Sequence, residues 1–138
     1  MKRVALTIVP LLAVAGMALG AGTPAPKDAK VYFIAPLDGT TVESPVKIVF
    51  GLSGMGVAPA GTQQPKTGHH HLLVDTSLKN KNAAIPKDAK HVHFGGGQTE
   101  AEVKLPPGKH TLQLVLGDAA HVPHNPPVMS EVITIEVR

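Results

Sequence analysis

The chain has no cysteine and no tryptophan, and Tyr32, Phe33, Phe50 and Phe94 are its only aromatic residues. Without cysteine there is no disulfide, no lipid-modified cysteine and no thiolate for metal binding or nucleophilic catalysis, so packing alone must hold the fold. So few aromatic faces leave little with which to stack bases or sugar rings, which speaks against nucleic-acid and carbohydrate binding. A sustained helical period with caps is also missing. Short β-rich runs alternate instead with Gly, Pro, Asn and Asp. Nor is there an excess of one charge: once Lys2 and Arg3 of the leader are set aside, basic and acidic residues nearly balance.

The first twenty residues, MKRVALTIVPLLAVAGMALG, put those two cations ahead of an apolar run that ends in the small residues Ala18 and Gly20. This is the pattern of a signal peptide over 1–20, cleaved near Gly20. Pro10 and Gly16 interrupt the run, and it is short for a bilayer span. The mature chain is therefore expected to be periplasmic or secreted, with no membrane anchor. Residues 21–30, AGTPAPKDAK, read as a flexible lead-in. Residues 31–138 make up one domain, long enough to bury one core.

Seven runs in that domain read as strands: 31–35, 45–52, 70–75, 91–94, 100–105, 110–117 and 130–137. The class is all-β, and seven short strands suggest an immunoglobulin-like β-sandwich. Two connections, 54–68 and 117–129, are long and rich in Gly and Pro, as functional loops are. A third, 76–90, is polar with Lys-Asn repeats and reads as an exposed crossover.

All eight histidines fall between His69 and His124. In a strand, GHHHLLVD sends His70 to the face of Leu72 and Val74, inward, where it should be neutral and hydrogen-bonded to backbone. His69 and His71 then project together from the other face. Two imidazoles side by side suit one metal ion, and His91 with His93 in HVHF repeats the arrangement. His121 and His124 lie in AHVPHNPPVM, where prolines restrict the backbone and hold a ligand loop in place. The metal candidates are His69, His71, His93, His121 and His124. Weaker ones are His70, His91, Met55 and Met129, the thioethers because soft sulfur favours copper. Asp118 is a candidate to orient a ligand from behind, although a strand-end turn explains it as well. His110 shares the parity of Leu112, Leu114 and Leu116 and reads as a structural corner.

The strings TGHHHLLVD, HVHFGGGQTE, LPPGKHTLQLVLGDAAHVPHNPPV and SEVITIEV resemble the bacterial exported family known as domain of unknown function 4399. The likeness runs from about Val31 to Val137. It implies no activity, and marks His69, His70, His71, Gly117, Asp118, His121 and His124 as motif positions. A looser likeness, in the proline-glycine turn before an alternating strand, is to CopC-type periplasmic copper-resistance sandwich proteins. Their histidine at the mature N-terminus has no counterpart here, so that likeness implies architecture and a metal theme only.

Three functions fit these residues. The first is an exported metal-binding protein, a carrier or buffer of copper or zinc; no nucleic-acid partner is expected, and a protein partner cannot be read. The second is a structural or adhesive envelope module whose histidines brace loops. The third, a metal-assisted hydrolase using His93 or His124 with Asp118 or Glu100 as base, is least favoured, because no open pocket can be read from strand alternation. The expectation is that the protein is not an enzyme.

Overall fold

Alternating apolar positions make each strand an element with one face to bury, and two sheets facing each other satisfy that need. A computed structural model describes residues 22–138, so the signal-peptide reading lies outside the described residues. Among the described residues the chain forms β1 (Lys30–Ala35), β2 (Thr41–Val42), β3 (Val46–Ser53), β4 (Gly56–Val57), β5 (Thr67–Val74), β6 (His91–His93), β7 (Glu100–Val103), β8 (Gly108–Gly117) and β9 (Ile133–Val137), with no helix. Each of the seven expected runs overlaps a strand, with β5 beginning three residues and β8 two residues before its run. The two additions, β2 and β4, are two residues long, too short to show a period.

One sheet has the order β1-β3-β7; the other runs β2-β9-β8-β5-β4, with β6 also paired to β5. The result is an all-β sandwich. Its core joins Val31, Val46, Ile48 and Phe50 from the first sheet to Leu72, Val74, Leu112, Leu114, Leu116, Ile133, Ile135 and Val137 from the second. The parity of the last strand selects 133, 135 and 137, and leaves Val132 exposed.

β5 is the most enclosed strand. β8 lies along one edge, β4 and then β6 along the other, and every residue from Gly68 to Val74 is buried. Its two faces are covered differently. The inner face meets the sandwich core, while the outer face meets a smaller cluster of Leu73, Leu78, Ile85 and Val115, with Met129 packed against it. The expectation of a plainly exposed crossover at 76–90 is corrected here: Leu78 and Ile85 are buried. The physical reason lies in β5 and β8, whose consecutive apolar residues (Leu72-Leu73, Leu114-Val115-Leu116) give a sheet that must be covered on both sides.

The N-terminal segment also differs from its reading. Rather than hanging free, Thr23 and Ala25 pair with Asn125 through main-chain hydrogen bonds of 3.0 Å each, Asn125 N–H to the Thr23 carbonyl and Ala25 N–H to the Asn125 carbonyl. Composition alone describes a tether; a neighbouring loop with free backbone groups turns it into a docked strap.

Candidate metal centre

The outer face of β5 places His69 and His71 two residues apart on one side of the sheet. β6 aligns His93 directly opposite His71. The turn after β8 brings His121 to the same group. One candidate ligand nitrogen from each of these four histidines lies within 4.8 Å of the other three, so the group can hold a metal ion. His69 and His71 are each 1% exposed, and His93 and His121 are half-buried at the rim.

Hydrogen bonding alone does not account for this arrangement. His69 Nε2 lies 2.9 Å from His71 Nε2 and 3.0 Å from His121 Nδ1. A ring nitrogen carries either one proton or one lone pair, so His69 Nε2 makes one good hydrogen bond and not two. His93 Nε2 is buried without any partner. A cation among the rings would meet the facing lone pairs together: at the ~2.0–2.1 Å of a zinc–imidazole bond, neighbouring nitrogens sit roughly 3.3 Å apart, close to the spacings seen. The ring of His121 stands nearly perpendicular to those of His69, His71 and His93, at 87°, 83° and 78°. His121 thus meets the other three edge-on, while His71 is tilted at 45° and 47° to His69 and His93.

The electrostatics keep His69, His71 and His93 neutral and therefore able to ligate. Burial, then repulsion from His121 and His93, lowers His69 to about 4, with Asp118 pulling the other way. Burial and the His69 ring lower His71 to about 3. His93 is lowered by burial, by His121 and by Lys87. No carboxylate belongs to the group.

Two glycines make room for it. A Cβ on Gly117 would stand 2.7 Å from His71 Nε2, and a Cβ on Gly95 would run into the His93 ring. At Gly95 the backbone therefore lies against the imidazole two residues earlier. Gly117, opposite His69 in the ladder, was legible only as a motif position.

His121 has a positive φ of 64°, uncommon for a residue with a side chain. The turn that imposes it is tied on several sides. Asp118 Oδ1 accepts from the Ala120 and Val122 N–H groups at 2.9 and 3.0 Å. Asp118 N–H donates to the Val122 carbonyl, and Ile85 N–H to the His121 carbonyl, both at 2.8 Å. The carboxylate of Asp118 therefore holds backbone, the strand-end role that its sequence allowed, and through it the His121 ring.

The other candidates lie elsewhere. His124 is a correction: both ring nitrogens face carbonyl oxygens, Nε2–H donating to Thr67 at 3.1 Å and Nδ1 lying 3.4 Å from the Leu116 oxygen, so it braces the loop. His91, opposite Leu73, donates from Nδ1 to Asp88 Oδ1 at 2.8 Å. Met55 packs against the sandwich core and Met129 against the outer cluster, so the thioethers serve packing. Glu100 pairs with Lys47 at 3.4 Å in the other sheet. His70 points inward as expected, but its two nitrogens have no partner; it packs on Phe50, ring centroids 4.7 Å apart, and burial lowers it to about 4. The hydrogen bond to backbone expected for it is absent.

A family model described as Domain of unknown function (DUF4399) matches residues 48–138, a stretch that contains all four clustered histidines. No curated protein and no solved structure matches the chain, and the CopC-type likeness is not shown.

Proposed function

The chain belongs to the family described as Domain of unknown function (DUF4399), and from the chemistry of its histidine cluster we propose that it is an exported protein that binds one copper or zinc ion. His69, His71, His93 and His121 are the ligands. One observation carries the reading: four imidazole nitrogens lie within 4.8 Å of one another, and the Nε2 of His69 sits between two ring nitrogens that it cannot both satisfy by hydrogen bonding.

All-nitrogen donors suit Zn(II) and Cu(II), and disfavour calcium and magnesium, which take oxygen. Four protein ligands would close the coordination shell, as in structural zinc sites and unlike catalytic ones that keep a position open. This supports a carrier or buffer over a hydrolase. The leader-like residues 1–20 support export, which would place the site in the periplasm or outside the cell.

The test is metal analysis of the untagged chain followed by titration with Cu(II), Cu(I) and Zn(II). One equivalent should bind to the parent and to His124→Ala. Binding should weaken by two orders of magnitude or more in His69→Ala and His71→Ala. Uptake that ignores both of the latter substitutions would remove the reading.

A further inference from the structure

The turn that presents His121 has a second anchor, and that anchor is the start of the described chain. Asp118 uses Oδ1 within its own turn, and Oδ2 accepts from the Thr23 N–H at 3.2 Å. The Thr23 carbonyl accepts from Asn125 N–H, and Ala25 N–H donates to the Asn125 carbonyl. Gly22 lies so close to Pro123 that a Cβ there would collide with the Pro123 carbonyl. Residues 22–25 thus run along the segment 118–125 and grip it at both ends.

Resting on the metal-binding reading, we propose that residues 22–25 act as a latch for the metal site, with Thr23 and Asp118 as positioning residues that hold His121 over the other three imidazoles. Three of the ligands are carried on hydrogen-bonded strands; His121 alone is on a turn, at a positive φ. Its place depends on the bonds that keep the turn closed. Removing the Thr23 bond frees one oxygen of Asp118, and the turn gains freedom that metal binding must then remove. Such supporting contacts typically change metal affinity by about 10–100-fold.

The latch is separable from the fold. A cleft of about 820 Å³ lies between residues 23–26, residues 62–67 and the 118–120 turn. Thr23 and Pro24 form no part of the sandwich core, whereas Ala25 packs against it. A chain beginning at Ala25 keeps the core and loses the latch.

Four variants test this against the chain beginning at Ala21. Thr23→Pro removes one N–H donor and Thr23→Ala keeps it. Asp118→Asn keeps an acceptor for the turn but sets an amide N–H₂ against the Thr23 N–H. Each is read by Zn(II) and Cu(II) affinity, by the number of imidazoles coupled to Cu(II) in its electron-spin resonance, and by the melting temperature of the metal-free chain. Affinity should fall about tenfold in Thr23→Pro, in Asp118→Asn and in the chain from Ala25, with one imidazole lost from the Cu(II) signature, while Thr23→Ala matches the parent. Unchanged affinity and four coupled imidazoles in the shortened chain would overturn the latch and leave the metal site standing. No uptake by the parent would overturn both. Equal weakening in Thr23→Ala and Thr23→Pro would also overturn it, since the N–H would then be irrelevant.

Discussion

Three consecutive histidines carry two kinds of work because strand geometry separates neighbours by a half-turn. His69 and His71 meet other imidazoles on the outer face; His70 meets Phe50 in the core with both nitrogens unpaired. An unpaired buried polar group costs ~1–3 kcal/mol, so His70 destabilises the fold. Replacing it by leucine, close to it in size, should raise stability by about 1–2 kcal/mol in urea unfolding and leave metal uptake unchanged. A stability loss, or weakened uptake, would show that His70 has a polar role that its surroundings do not reveal. The same parity was readable from Leu72 and Val74. The missing partner of His70 was not, because it depends on which backbone groups the opposite sheet leaves free.

At the scale of elements, the ends of β5 and β8 are pinned together by a charged corner. His110 donates from Nδ1 to Asp75 Oδ2 at 2.7 Å and from Nε2 to the Pro106 carbonyl at 2.8 Å, and Asp75 Oδ1 accepts from Thr111 N–H at 2.9 Å. Burial works against the charged ring, but the Asp75 hydrogen bond and the Pro106 carbonyl outweigh it, and the pKa of His110 is raised. With a raised folded value, the corner's contribution is complete below the unfolded value of about 6.5 and fades as pH climbs through the folded one. His110→Gln should therefore cost ~1 kcal/mol at pH 6 and less at pH 9, measured as paired denaturation midpoints; Asp75 is partly exposed, which keeps the figure small. A loss that grows with pH would contradict the charged corner. Here the sequence was informative: an inward parity at the start of an alternating strand identified His110 as structural. It was less so for residues 76–90, where Leu78 and Ile85 stand among polar neighbours without a period.

For the whole molecule, the metal-free chain should be acid-sensitive at a mild pH. His69, His70 and His71 are lowered to about 4, 4 and 3, chiefly by burial. Lowered histidines mean that the unfolded chain binds more protons below its value of about 6.5, so stability is complete above that pH and is lost as pH falls toward 4. Each such ring can contribute a slope of up to ~1.4 kcal/mol per pH unit. Denaturation of metal-free chain at pH 7.5, 6 and 5 should show the midpoint falling steadily; a flat profile would mean the rings are not buried neutral. Metal removal should act in the same direction. At a free ion concentration a hundred times Kd, binding adds ~2.7 kcal/mol, which for a domain of this size is a melting shift of roughly 10 °C abolished by a chelator.

What the sequence determined by itself was everything that rests on short-range pattern: the all-β class, the approximate place of the seven longer strands, the inward parity of His70 and His110, and the pairing of His69 with His71 on one face. These follow because a strand's period of two is local and a side chain's face is set by its neighbours. Tertiary structure decided which imidazoles meet. It admitted His93 through the β5–β6 register and His121 through a turn, and it turned His124 and His91 away toward carbonyl and carboxylate oxygens. Register and loop path are long-range quantities, settled by how two sheets and a strap satisfy their backbone groups together, and no window of the chain contains them.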